Sequence, residues 1–219
     1  MSQAKTILGE YQSLIFDLDG TLMHTEPDIR KAINGALRDC GYRELPVDLV
    51  LPNLYSTLTD IIAEATALID VPPSAIPALH DAYRIHYVEQ AHGDSVLYPG
   101  VLDFLQASAA RGCVMAVCTN KNEAFAHQAL ERTGVHDFFV CVTGGNTTAY
   151  SKPHPMPLEH TLAQMGTRAN ESIMLGDTHV DAATAQNAGV AFALHKNGYG
   201  GIRLDGYPTR ASFNSYTEL

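Results

Sequence analysis

Short apolar runs, separated by helical patterns, recur along most of the chain. The runs have the length of buried strands and occupy residues 14–16, 114–118, 138–142, 172–175 and 190–194. Between the later runs, apolar residues recur at helical spacing, and each pattern stops at a glycine that suits the end of a helix. The alternation predicts an α/β fold, built as a doubly wound parallel sheet with helices on both faces.

Residues 24–94 interrupt this alternation directly after the first predicted strand. Three helical patterns fill the interruption, beginning near residues 25–27, at residue 58 and at residue 74, and the last ends at about residue 91. We therefore expect an α/β core of residues 1–23 and 95–219 and a small helical cap domain of residues 24–94. Because ligands bind at the carboxyl edge of such sheets, the insertion should cover a site there.

The composition of the chain limits its partners. With 24 Asp and Glu against 14 Lys and Arg, the formal net charge is −10, which disfavours nucleic acid and anionic membrane surfaces. No apolar stretch approaches the roughly 18 residues that cross a bilayer, and the cysteines form no CxxC pair. We expect a cytoplasmic globular protein that binds neither nucleic acid nor membrane, and its oligomeric state stays open.

Two carboxylates, Asp17 and Asp19, follow the first predicted strand in the sequence FDLDGT. Side chains two residues apart in extended backbone point to one side, so both acids can face one pocket. Carboxylates this close repel each other unless a cation or a shared proton intervenes. A hard cation with oxygen ligands, Mg²⁺ above all, suits the pair.

A second acidic pair, Asp177 and Asp181, follows the fourth predicted strand on a loop that enters a helix. Residues four apart lie on one face of a helix. In a parallel sheet this pair would share an edge with Asp17 and Asp19, so four carboxylates would converge. Either pair alone could instead cap a helix or form a turn.

Polar residues that suit phosphate follow the second and third predicted strands. Thr119 and Asn120 end the second predicted strand, where a hydroxyl and an amide could hold phosphate oxygens. Lys152, flanked by prolines, could neutralise the carboxylates and attract phosphate. A Thr-Asn turn is common and a lone lysine usually lies at the surface, so neither indicates a site by itself. Their combination with the two acidic pairs favours a phosphate site.

The order of these residues resembles the four signature motifs of haloacid dehalogenase-like hydrolases, over nearly the whole chain. The motifs are Asp17-x-Asp19-Gly20-Thr21, Thr119-Asn120, Lys152 and Gly176-Asp177-x-x-x-Asp181. The helical insertion is similar to the alpha-helical cap of that family. Residues 142–146, 152–155 and 197–200 look most like its phosphoglycolate phosphatase-like branch. The resemblance implies a Mg²⁺-dependent phosphatase that acts on a small phosphorylated metabolite, either a phosphoglycolate-like ester or a sugar phosphate.

The resemblance also implies catalytic roles for individual residues. Asp17 would be the nucleophile and form an aspartyl-phosphate, while Asp19 would protonate the leaving oxygen and then activate water. Thr119 and Lys152 would bind the transferring group and offset its charge.

A magnesium site is implied by the same resemblance. Mg²⁺ would be held by Asp17, by the backbone carbonyl of Asp19 and by Asp177. Asp181 would be a further ligand or a support for the others.

Three features depart from the phosphoglycolate phosphatase-like pattern. His24 stands where that branch commonly has an acid, and Asn146 replaces the usual acid after the glycine pair. Residues 50–56 replace the glycine-containing loop that commonly lies over the substrate. We hypothesise that His24 and the stretch from Asn53 to Ser56, including Tyr55, contact the leaving group.

Two other functions compete with a phosphatase. A phosphomutase of the same family would return the phosphoryl group to a sugar instead of to water. A non-catalytic phosphate-binding or regulatory protein could use the same scaffold, since a fold does not dictate a function.

Overall fold

The computed structural model describes residues 3–90, 92–200, 204 and 206–219. The strands are β1 (Ser13–Phe16), β2 (Met23–His24), β3 (Val96–Leu97), β4 (Val114–Cys118), β5 (Val142–Thr143), β6 (Ser172–Gly176), β7 (Ala191–His195) and β8 (Ala211–Phe213). The helices are α1 (Gln3–Leu8), α2 (Glu26–Asp39), α3 (Leu58–Ala67), α4 (Ile76–Gln90), α5 (Val101–Ala110), α6 (Glu123–Arg132), α7 (Met156–Met165) and α8 (His179–Asn187). Among the described residues, every helix falls short of the length and hydrophobicity that spanning a bilayer demands.

A parallel sheet with the strand order β5-β4-β1-β6-β7-β8 forms the centre of the core. Strand β1 lies between β4 and β6, and Phe16 pairs with Val117 on one side and with Leu175 on the other. The chain therefore leaves β1, β4 and β6 at the same carboxyl edge. The prediction of a doubly wound parallel sheet is confirmed.

Both faces of this sheet are buried, which explains why its strands have nearly continuous apolar sequences. Leu14 and Phe16 pack into one cluster together with residues of α1, α5 and α6. Ile15, which points to the other face, packs with residues of α7 and α8.

The third predicted strand, residues 138–142, is wrong in its bounds. The strand is β5 (Val142–Thr143), and His136–Phe138 form a 3-10 turn instead. The apolar run has another cause, because the ring of Phe139 packs edge-on against Phe16 at 5.9 Å between centroids. A short apolar run marks burial, which a turn can supply as well as a strand.

Residues 24–94 form a helical insertion that contains α2, α3 and α4. Its three helices share an apolar cluster, which includes Ile33, Leu37, Ile62 and Tyr87 and also takes in Phe125 of α6. The predicted starts of the first two helices agree with the structure, whereas the third pattern begins with a 3-10 turn before α4, and Ala91 lies outside the described residues. The assignment of the insertion as a separate domain stays a prediction.

The chain leaves the core through β2 and returns through β3, which pair antiparallel. A buried carboxylate joins the two crossings. Asp28, in the first turn of α2, accepts a hydrogen bond from the Ser95 hydroxyl at 2.6 Å and from the Asp94 backbone N–H at 3.2 Å. The helix N-terminus adds its own attraction for the negative charge.

Replacing Asp28 by Ala should lower the free energy of unfolding by about 2 kcal/mol, because the buried Ser95 hydroxyl loses its acceptor. Urea unfolding followed by circular dichroism measures the change. The exposed Asp48 supplies the control, Asp48→Ala, which should change the free energy by less than about 0.5 kcal/mol. Equal stability of both variants would contradict the role assigned to Asp28.

Candidate active site at the carboxyl edge of the sheet

The carboxyl edge of the sheet gathers the acidic residues that the sequence places after separate strands. Asp17 follows β1, and Asp177 follows β6. Together with Asp181 in the first turn of α8 they are buried, and one oxygen of each lies within 4.8 Å of the others. The convergence follows from the sheet, because β1 and β6 are neighbours with their ends in register.

The turn after β1 brings its backbone against Asp177. Gly20 has a φ of 87°, and a Cβ atom there would lie 2.4 Å from a carboxylate oxygen of Asp177. Only glycine fits this approach without strain. The next residue, Thr21, donates its hydroxyl to Asp177 Oδ1 at 2.9 Å.

The loop that follows β7 holds the other oxygen of Asp177. Asp177 Oδ2 accepts hydrogen bonds from the backbone N–H of Tyr199 at 2.6 Å and of Gly200 at 3.3 Å. Burial, followed by the charges of Asp181 and Asp17, nevertheless raises the pKa of Asp177 well above its ordinary value.

Lys152 bridges two of the acids. Its Nζ donates to Asp17 Oδ1 at 2.8 Å, to Asp181 Oδ1 at 2.6 Å and to the Cys118 carbonyl at 3.0 Å. Burial alone would lower the pKa of this lysine, but the carboxylates of Asp17 and Asp181 outweigh burial and raise it above its ordinary value. Lys152 is therefore held as a cation between the side chains of Asp17 and Asp181.

The second carboxylate oxygen of Asp181 takes part in the N-terminal cap of helix α8. Asp181 Oδ2 accepts hydrogen bonds from the Thr178 hydroxyl at 2.6 Å and from the Thr178 N–H at 3.1 Å, and Thr178 caps the helix in return. Because Lys152 and Thr178 occupy both oxygens, this geometry favours a supporting role for Asp181 over direct coordination of a metal.

Asn120 fixes the backbone that carries Lys152. Its Oδ1 accepts from the Lys152 N–H at 2.9 Å, and its Nδ2 donates to the Lys152 carbonyl at 3.1 Å and to the Tyr55 carbonyl at 3.2 Å. The side-chain amide thus joins the β4 turn, the lysine loop and the insertion. Contact of Asn120 and of the buried Thr119 with phosphate oxygens stays a prediction.

A second buried lysine, which the sequence reasoning missed, contacts the other acid of the first motif. Lys121 Nζ lies 2.9 Å and 3.2 Å from the two carboxylate oxygens of Asp19, whose Oδ1 also accepts from the Thr25 hydroxyl at 2.5 Å. The position of Lys121 directly after Thr119-Asn120 was the sequence feature that could have identified it, but a lysine in a turn is ordinarily solvated.

A cavity of about 50 Å³ lies between the sheet edge and the helical insertion. Asp17 and Asp19 contribute to its wall from the core, and Tyr55 contributes from the insertion. His24 and Asn53 are not among the described residues that line it. His24 Nδ1 hydrogen-bonds with the Tyr199 hydroxyl at 3.1 Å, and Asn53 hydrogen-bonds with Glu64 and Tyr55.

Comparison with known proteins agrees with this arrangement. The model of the haloacid dehalogenase-like hydrolase family matches residues 14–195, which include every motif residue described above. The chain belongs to the haloacid dehalogenase-like hydrolase family. The sequence prediction of this family is confirmed.

Relatives of this hydrolase match it along almost the whole length. It is 34% identical over 214 residues to a phosphoglycolate phosphatase of Rhodobacter capsulatus, covering 94% of each chain. A phosphoglycolate phosphatase of Rhodospirillum rubrum is also 34% identical, with 95% of this chain and 89% of the relative covered. A crystal structure of a predicted phosphoglycolate phosphatase from Haemophilus somnus 129pt superposes with a TM-score of 0.85 at 26% identity, over 95% of this chain and 96% of that one.

The donor set of this hydrolase fits a divalent cation. Burial, reinforced by the charge of Asp181, raises the pKa of Asp17 to about 7 even though Lys152 acts in the opposite direction. Burial and the charges of Asp181 and Asp17 likewise raise the pKa of Asp177. Buried carboxylates this close together need protons or a cation, and a hard cation bound by oxygens of Asp17 and Asp177 would supply the missing positive charge.

Replacing Lys152 by Met should lower the free energy of unfolding of the metal-free protein by about 3–5 kcal/mol, because buried carboxylates lose their cation. Folding raises the pKa of Asp17 to about 7. The unfolded chain ionises Asp17 more easily, with a pKa of about 4. Asp17 therefore destabilises the folded protein increasingly as the pH rises above about 4. Loss of the lysine enlarges this effect, so the destabilisation should be smaller at pH 5 than at pH 8.

Urea unfolding in the presence of EDTA at the two pH values measures the difference. The exposed Lys196 supplies the matched control, Lys196→Met, which should change stability by less than about 0.5 kcal/mol at either pH. An equal loss at pH 5 and pH 8 would contradict the electrostatic account of Lys152.

Proposed function

We propose that this hydrolase is a Mg²⁺-dependent phosphatase that removes phosphate from a small phosphomonoester, with phosphoglycolate as the leading candidate substrate. The observation that carries the proposal is the hydrogen bonding of the Asp17 carboxylate. One of its oxygens accepts from Lys152, and within the described part of the chain no hydrogen bond occupies the other. The names of the relatives at 34% identity support phosphoglycolate.

In the first half of the reaction, Asp17 attacks the phosphorus and the bond from phosphorus to the ester oxygen breaks. Asp19 gives its proton to the departing oxygen, so the leaving group departs as an alcohol. The product on the enzyme is an aspartyl-phosphate. Lys152, already held against Asp17, offsets the charge of the transferring group.

In the second half, water attacks the phosphorus of the aspartyl-phosphate while Asp19 accepts a proton from that water. The bond from phosphorus to Asp17 breaks, which releases phosphate and restores the carboxylate. The contacts of Asp19 suit this step, because Lys121 and Thr25 donate hydrogen bonds to its carboxylate and hold it in place.

Mg²⁺ would be held by the side chains of Asp17 and Asp177 and by the backbone carbonyl of Asp19. When bound, the ion would neutralise part of the charge on the carboxylates and on the phosphoryl oxygens. Asp181 supports this set through Lys152 and through the cap of α8. Thr21, Tyr199 and Gly200 orient Asp177 through its hydrogen bonds.

The helical insertion acts as a cap that excludes water from the reacting atoms. Its contribution to the cavity wall is largely apolar or aromatic, with Leu54, Ile61, Tyr83 and Tyr87 among the lining residues. A small, mostly apolar cover suits a short leaving group. Movement of the insertion would enlarge the cavity of about 50 Å³ and admit the substrate.

Replacing Asp17 by Asn should reduce the release of phosphate from phosphoglycolate at least about 1000-fold, because an amide of the same shape is a poor nucleophile. A colorimetric phosphate assay with Mg²⁺ measures it. The fully exposed Asp137 gives the control Asp137→Asn, which should retain wild-type turnover. Retained turnover by Asp17→Asn would reject the nucleophile, whereas an isomerised sugar phosphate without release of phosphate would favour the phosphomutase alternative.

The affinity for Mg²⁺ should rise at least about tenfold per unit as the pH is raised from 5 to 7. The pKa of Asp17 in the metal-free protein is about 7 and that of Asp177 is also raised, so below pH 7 the ion must displace at least one proton. Isothermal titration calorimetry at several pH values gives the dissociation constant. In buffers of different ionisation enthalpy it also gives the protons released. A constant affinity from pH 5 to pH 8 would exclude Asp17 as a ligand.

A further inference from the structure

Lys121 places a positive charge on the wall of the cavity. Its side chain is 6% exposed. It is the one cationic side chain among the described residues that line the cavity, and Lys152, which bonds Asp17, is not among them. Its Nζ also lies 4.9 Å from the centroid of the Tyr87 ring, on helix α4 of the insertion.

A lysine buried this deeply needs compensation for its lost hydration. Burial alone would lower the pKa of Lys121, but the Asp19 carboxylate outweighs it and raises that pKa above its ordinary value. The pair with Asp19 keeps the ammonium charged in the absence of substrate. The face of Tyr87 is a further attraction for a cation, although a weaker one than a second carboxylate.

The proposed reaction determines which part of the substrate lies near Lys121. The ester oxygen must come within hydrogen-bond distance of Asp19 to receive its proton. Lys121 Nζ is 2.9 Å from the same carboxylate. The atoms within about three bonds of the ester oxygen therefore come within reach of the ammonium group, and most of the remaining cavity wall is apolar or aromatic.

We propose that Lys121 selects phosphomonoesters whose leaving group carries a carboxylate one carbon from the ester oxygen. The inference rests on the proposed phosphatase function and deepens it. Lys121 forms a charge-assisted hydrogen bond with that carboxylate, while Lys152 serves the phosphoryl group. Lys152 thus binds the phosphoryl end, and Lys121 the carboxylate end, of one short substrate that carries two or three negative charges.

The test compares phosphoglycolate with glycolamide phosphate, which has the same shape but a neutral amide in place of the carboxylate. The wild type should have a kcat/KM for phosphoglycolate about 10- to 100-fold above that for glycolamide phosphate. Lys121→Met should abolish this preference, and Lys121→Arg, which keeps the charge, should retain part of it. Lys5→Met, which changes an exposed lysine of α1, should leave the preference intact.

Binding separates recognition from turnover. With Mg²⁺ present, calorimetry on the Asp17→Asn background should give a phosphoglycolate affinity that falls at least about tenfold when Lys121→Met is added. The affinity for glycolamide phosphate should change far less. A loss of kcat that is equal for both esters, with unchanged affinities, would mean that Lys121 only positions Asp19 and would overturn the proposal.

Two further outcomes are distinguishable. Equal kcat/KM values for the two esters in the wild type would overturn the role of Lys121 even if Lys121→Met does not fold. Absence of turnover of either ester by the wild type would reject the proposed phosphatase function. In that case the affinities on the Asp17→Asn background still decide whether Lys121 recognises the carboxylate.

Discussion

The ionic bridge from Asp17 through Lys152 to Asp181 is the interaction on which the rest of the site depends. Four buried carboxylates at one sheet edge would repel each other, and Lys152 offsets part of that repulsion from within hydrogen-bond distance of two of them. The bridge also aligns the elements, because Asp181 caps α8 and the backbone of Lys152 is held by Asn120. A single ammonium group thereby couples the charge of the site to the ends of β1 and β4 and the start of α8.

The two lysines divide the site into two ends with different electrostatics. Around Lys152 the partners are acids and backbone groups of the core, which suits phosphoryl transfer. Around Lys121 they are Asp19 and the aromatic face of Tyr87, which belongs to the insertion. Selection of a charged leaving group would then depend on both the core and the insertion. Movement of the insertion would complete the binding site for the leaving group as well as exclude water.

Much of the candidate site was predictable because it lies where strands end. Asp17 and Asp177 follow apolar runs, and the parallel topology brings the ends of neighbouring strands together whatever their separation in the chain. The predictions failed where burial, not backbone periodicity, determined the pattern. Residues 138–142 are apolar because Phe139 packs on Phe16, and only their end is a strand. The short strand β8 has an exposed residue at its centre and gave too weak a pattern to be recognised.

The sequence by itself determined the fold class, the family and the places of the acids, since these depend on local periodicity and on motif spacing. The tertiary structure alone decided which partner each charged group has. That Lys121 bonds Asp19, that Asp181 is occupied by Lys152 and Thr178, and that Tyr199 reaches Asp177 depend on contacts between residues far apart in the chain. Side-chain partners follow from the packing of whole elements, and a one-dimensional pattern carries no record of which side chains that packing brings within 3 Å.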